Sequence, residues 1–147
     1  MKKLPMTLLS ALVCLGLTAC GGDTKLVDAQ TKWKSQALTS YRFDYSRNCF
    51  CPDSGTVYVV RVQNGAVTTV TEKATGTPVD AKDLSSFPTI DAIFITIDKA
   101  DHEAASLSVT YDAAMGFPTA VSIDWIAEAV DDEVSMTIGP VTSLVVP

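Results

Sequence analysis

The chain has 147 residues, with 17 acidic and 11 basic side chains, a net charge of −6 and four cysteines. An acidic surface repels phosphates, and no basic run interleaved with aromatics is present, so nucleic acid is excluded as a partner class. With 47% hydrophobic residues the chain has enough apolar material for one ordinary domain with a real core.

The first nineteen residues have the layout of an export signal. Lys2 and Lys3 give a positive start, an apolar run extends from Leu4 to Leu17, and small residues follow. A membrane-spanning helix needs about 20 apolar residues, and this run is shorter and interrupted by Pro5, Thr7 and Ser10. Leu17-Thr18-Ala19-Cys20 resembles the bacterial lipobox. That resemblance implies cleavage before Cys20, lipid on its sulfur and usually on its amine, and anchoring at the membrane of the cell envelope. Several acyl chains hold firmly where one is marginal. Gly21, not Asp, follows Cys20, and in a Gram-negative cell this pattern implies the outer membrane, facing the periplasm. Residues 1–19 are therefore expected to be a lipoprotein signal peptide, 20–25 a lipidated tether, and 26–147 a single α+β domain.

Within the domain, a helix is expected from Asp28 to Leu38, with Asp28 as N-cap. Leu26, Ala29, Trp33 and Ala37 form its apolar stripe. The period then changes to two: Tyr41, Phe43 and Tyr45 alternate with Arg42, Asp44 and Ser46, as in a half-buried strand. Val57 to Val62 reads as a second strand and Ala66 to Glu72 as its return, joined by Asn64-Gly65, the pair a type I′ turn demands. Residues 73–88, with Gly76, Pro78 and Pro88, read as loop.

From Thr89 to Ala104, the spacing of Ile90, Ile93, Phe94, Ile97 and Ala100 predicts a helix capped by Thr89, although Phe94-Ile95-Thr96-Ile97 is β-branched enough for a strand. Strands follow at Leu107–Tyr111, Thr119–Ile126 and Val134–Ile138, with turns at residues 115–118 and at Asp131-Asp132-Glu133. The fold class is thus α+β: a single domain with an antiparallel sheet of about six strands, an N-terminal helix and one central helix. The order helix, three strands, helix, three strands hints at two similar halves, without a sequence repeat to support it.

Two features invite a chemical reading. Cys14 leaves with the signal and Cys20 carries lipid, so Cys49 and Cys51 are the remaining thiols. In an oxidising envelope they are expected to form one disulfide. In an extended strand, residues two apart lie about 6.6 Å apart, at the far limit for that bond, so the chain must curl there, as Pro52, Asp53, Ser54 and Gly55 allow. The other feature is His102, the one histidine. It excludes a two-histidine metal motif and reads as a solvated residue near a helix end beside Asp101 and Glu103. Asp131, Asp132 and Glu133 lack the order of a calcium loop and read as an acidic hairpin turn. No nucleophile elbow, Ser-x-x-Lys pair or glycine-rich phosphate loop is present in the sequence. No catalytic residue, cofactor or metal site is therefore assigned.

Several of these stretches, taken together, resemble one family: Trp33, Ser40-Tyr41 through Tyr45 into Cys49-Phe50-Cys51, Val59 to Val67 around Asn64-Gly65, and Thr89-Ile90-Asp91 with Phe94. Val109 to Asp112, Gly116-Phe117-Pro118-Thr119, Ile123-Asp124 and Asp132-Glu133 extend the likeness. It is an uncharacterised family of lipid-anchored and secreted bacterial proteins, a domain of unknown function. The resemblance implies one domain in the envelope and supplies no activity.

Three functional readings follow from the sequence. The first is a non-enzymatic envelope lipoprotein that binds an envelope protein or another component. The second is a thiol or soft-metal protein using Cys49 and Cys51. The third is a hydrolase with dispersed residues. The first accommodates most of the sequence.

Overall fold

The computed structural model describes residues 24–129 and 131–144. Two helices, α1 (Thr24–Ser35) and α2 (Ile90–Glu103), lie on one face of a sheet whose strands are β1 (Tyr41–Asn48), β2 (Val57–Gln63), β3 (Ala66–Glu72), β4 (Ser106–Tyr111), β5 (Pro118–Asp124), β6 (Val134–Ile138) and β7 (Thr142–Ser143). A short 3₁₀ turn, Ala81–Ser86, lies between β3 and α2. The strand order is β3-β2-β1-β6-β5-β4, with β7 on β1, and every pair is antiparallel. The expected α+β class with one antiparallel sheet and two helices is what the chain adopts.

The first helix departs from expectation at both ends. It starts at Thr24, so Asp28 is an exposed residue inside it and not its cap, and residues 24 and 25 are helical where a tether was expected. Leu26 accounts for the shift: it is buried together with Ala29 and Trp33, and seating that side chain takes the helix one turn further back. At the other end, Gln36 and Ala37 donate to the carbonyls of Trp33 and Lys34 at 3.0 and 3.1 Å, a tightened last turn. Ala37 then turns to φ 51° and leaves the helix, exposed and off the stripe.

The strand alternation of β1 holds. Tyr41, Phe43 and Tyr45 are buried beneath the helices. Asn64 and Gly65 have φ of 51° and 77°, as a type I′ turn requires. That turn is tied to the start of β1, where the Asn64 amide donates to the Ser40 hydroxyl and the Gly65 amide to the Thr39 carbonyl. The stretch forms a helix over Ile90–Glu103, and Thr89 caps it by accepting from the Ala92 amide at 3.1 Å. The loop expected at 73–88 contains the 3₁₀ turn and a bridge from Thr71 to Pro78.

Strand β5 ends at Asp124, two residues short of the expected Ile126. There the chain turns, and the Ile126 amide donates to the Asp132 carboxylate at 2.6 Å. The short β7 was not anticipated. It continues the line of β6 along β1 after a break at Gly139-Pro140, where proline has no amide to donate.

The core lies between the helices and the sheet. Trp33 of α1 packs edge-on against Tyr41 and Phe117, with centroids 5.3 and 6.4 Å away. Its indole N–H donates to Asp91 of α2 at 3.2 Å, joining the two helices. The two runs of helix and three strands are not laid down as copies. A copy displaced along the sheet would need β6 parallel to β1, and one turned about the sheet normal would place β4 beside β1. Neither is observed.

Candidate functional site

A cleft of about 700 Å³ opens between the start of α2, the segment Ser85–Thr89 and the inner face of the sheet. Strand parity sets its floor. Residues 41, 43, 45 and 47 of β1 share one face, so after three buried aromatic rings the inward position passes to Arg47. Tyr45, Met136 and Ile123 come from adjacent strands β1, β6 and β5, while Ala92, Ile93 and Thr96 of α2 form one wall. Leu84, Phe87 and Pro88 form the other, with Trp125 and Val134 also lining the space. Phe87 stacks edge-on against Tyr45 at 6.4 Å and Tyr58 at 4.9 Å, fixing that wall to the sheet. Lys99 sits 5.3 Å over the Trp125 ring and pairs with Glu103.

The polar groups are few. Tyr45 is 5% exposed, and its hydroxyl has no hydrogen-bond partner among the described residues. Burial raises its pKa above the ordinary phenol value, and the Arg47 charge opposes that shift. The Arg47 guanidinium lies at the exposed end of the cleft with neither an ion pair nor a hydrogen bond among the described residues. The other polar lining residues are Ser85, Ser86, Thr89 and Thr96; no carboxylate or imidazole is among them. A preformed, mostly apolar concavity with a few placed polar groups is the usual form of a small-ligand site.

The residues singled out from the sequence lie elsewhere. Cys20 is outside the described residues. Cys49 and Cys51 follow β1, in a turn where their sulfurs are paired and the Cα atoms are 5.2 Å apart. The Cys51 amide donates to the Cys49 carbonyl at 2.8 Å, a three-residue turn that supplies the necessary curl and leaves Phe50 85% exposed. His102 is exposed in the last turn of α2, its Nδ1 2.8 Å from the Asp98 carbonyl, and this bond raises its pKa above the ordinary 6.5. Asp132 holds its own turn through the Ile126 amide. Among the described residues no group of three His, Cys, Asp or Glu side chains is placed to hold a metal ion, and no helix is long and apolar enough to cross a membrane.

The fold and cleft define a single-sheet α+β domain with an apolar, cation-tipped recess on its helical side. The chain belongs to the family of unknown function DUF6174, which matches residues 25–143. No curated protein and no solved structure matches it.

Proposed function

We propose that the chain is a non-enzymatic binding module of the bacterial cell envelope, held at a membrane surface by lipid on Cys20. The cleft carries this reading: it is open and largely apolar, and its hydroxyls have no carboxylate or imidazole beside them to act as a general base. The sequence Leu17-Thr18-Ala19-Cys20 supports the anchor, and α1 begins only four residues beyond Cys20, so the domain would ride close to the bilayer. Cys49 and Cys51 enter this reading as a local clip that shapes the turn after β1, in place of thiol or soft-metal chemistry.

The test has two arms. Cys20→Ala should move the protein from the membrane to the soluble fraction and abolish labelling by a radiolabelled fatty acid. Photo-cross-linking from a probe placed at Thr96, in intact cells, should capture one defined component that a probe at Arg61, on the opposite face of the sheet, does not. Unchanged membrane retention in Cys20→Ala would remove the anchor. Identical capture from the two positions would remove the cleft as the binding surface.

A further inference from the structure

We propose that the cleft binds a long-chain carboxylate, with its apolar chain along Phe87, Trp125 and Val134 and its head at the Arg47 guanidinium and the Tyr45 hydroxyl. The inference deepens the binding-module reading and rests on it.

Three observations converge on this ligand. The first is the position of the cation. Arg47 takes the fourth inward place of β1, after Tyr41, Phe43 and Tyr45. In a chain with 17 acidic side chains and 11 basic ones, it makes no ion pair among the described residues. Its planar fork matches a carboxylate in two parallel bonds. The second is the Tyr45 hydroxyl, on the same face two residues before it, which makes no hydrogen bond among the described residues. That hydroxyl lines the cleft, and a ligand oxygen can accept from it. The third is the lining beyond these two groups, which is mostly apolar, with four hydroxyl residues at 85, 86, 89 and 96 and no charged side chain among the rest. At roughly 30 Å³ per water-sized group, the volume takes a chain with about twenty such groups.

Other occupants fit less well. An extended peptide gains its affinity from unpaired strand backbone. The floor here is the face of β1, β6 and β5, whose backbone groups are committed to one another. A sugar would need many more polar partners than this cleft offers, and a polyanion would meet one cationic side chain in its lining on a negative protein.

The measurement uses Trp125 as an internal reporter. The other tryptophan, Trp33, is 4% exposed and packs on Tyr41 and Phe117, away from the cleft lining. The full chain carrying Cys20→Ser, in buffer free of detergent, is titrated with 9,10-dibromostearic acid and separately with its methyl ester, following bromine quenching of tryptophan emission. The expected result is saturable quenching by the acid that disappears in Trp125→Phe. The ester should bind about tenfold more weakly, the size of one charge-assisted hydrogen bond. Arg47→Gln should weaken the acid by about the same factor and leave the ester unchanged. Arg61→Gln, on the outer face, should alter neither, and far-UV circular dichroism of each variant should match the parent.

Absence of saturable quenching, or equal affinity for acid and ester in the parent, would overturn the assignment. So would displacement of the acid by inorganic phosphate alone, since the head would then account for all the binding. Those failures leave the anchoring and cross-linking arms above untouched, so the two readings fall separately.

Discussion

The hydroxyl of Tyr41 accepts a hydrogen bond from the amide of Ile90 at 3.1 Å, in a fully buried position. Ile90 is the first residue of α2, and its N–H belongs to the set that no helix can satisfy internally. The central strand thus supplies what the helix lacks. One oxygen sets where α2 begins over the sheet, and so where the cleft wall formed by Ala92, Ile93 and Thr96 stands.

Tyr41→Phe should therefore cost about 1–3 kcal/mol, because the ring is kept but a buried amide is stranded. Urea unfolding measures this. The same residue gives a pH signature. Burial, with the nearby Asp91 charge adding to it against the Ile90 bond, pushes its pKa up to about 12. A phenol whose pKa is raised on folding stabilises fully below the ordinary value of 10.0, and that contribution is lost as pH rises through about 12. In a spectrophotometric titration Tyr41 should ionise well above the ordinary phenol value, together with unfolding. Ionisation of all four tyrosines near 10 in the folded protein would contradict this.

Gly116 and Gly76 separate two causes of glycine dependence. Both have positive φ, 84° and 72°. A Cβ on Gly116 would lie 2.5 Å from the Ala29 carbonyl oxygen and 3.1 Å from the Trp33 amide, while one on Gly76 would meet nothing within 4 Å. Gly76→Ala should cost only the left-handed backbone penalty, about 1–2 kcal/mol. Gly116→Ala adds displacement of α1 and should cost about 2–4 kcal/mol in all. Comparable denaturation midpoints for the two variants would show that α1 yields freely.

The ring closed by Cys49 and Cys51 spans three residues, and closing so short a loop is worth only about 1–2 kcal/mol. Cys49→Ser with Cys51→Ser should lower stability by no more than that and leave the strand amides of β1 and β2 protected from exchange. Two free thiols in the protein isolated without reductant, counted by maleimide mass addition, would sink the clip and reopen soft-metal binding.

His102 should act as a weak, one-sided pH element. Its folded pKa is raised first by the bond to the Asp98 carbonyl, with the charges of Asp98, Asp101 and Glu103 adding. The stabilisation is present in full below 6.5 and fades as pH rises through the raised value. His102→Gln should lower the melting temperature relative to the parent at about pH 5.5 and match it at about pH 9. A difference that grows with pH would reverse the assignment.

Local pattern in the sequence carried much of this fold. The alternation Tyr41-Phe43-Tyr45, the Asn64-Gly65 turn and the Thr89 cap each depend on neighbours a few residues away, and each is where it was expected. The limits of α1 depended on whether Leu26 was buried, which is a tertiary matter. The seating of β6 against β1 joins residues about ninety positions apart and has no local mark. The cleft was hidden for the same reason, since its walls come from segments that read as loop and helix separately. One part of it was legible: carrying the parity of β1 two residues further puts Arg47 on the face of Tyr45, at the exposed end of the cleft.

The pairing of β1 with β6 also governs the order in which the sheet can be completed. Two meanders, β1-β2-β3 and β4-β5-β6, close through hairpins and short loops, but the seam between them needs Tyr45 to meet Ile138. Loop closure over that span is slow compared with hairpin formation. During synthesis, the aromatic strand would wait with one edge open until residue 134 arrives, and the last part of the chain would decide when the first strand is finished.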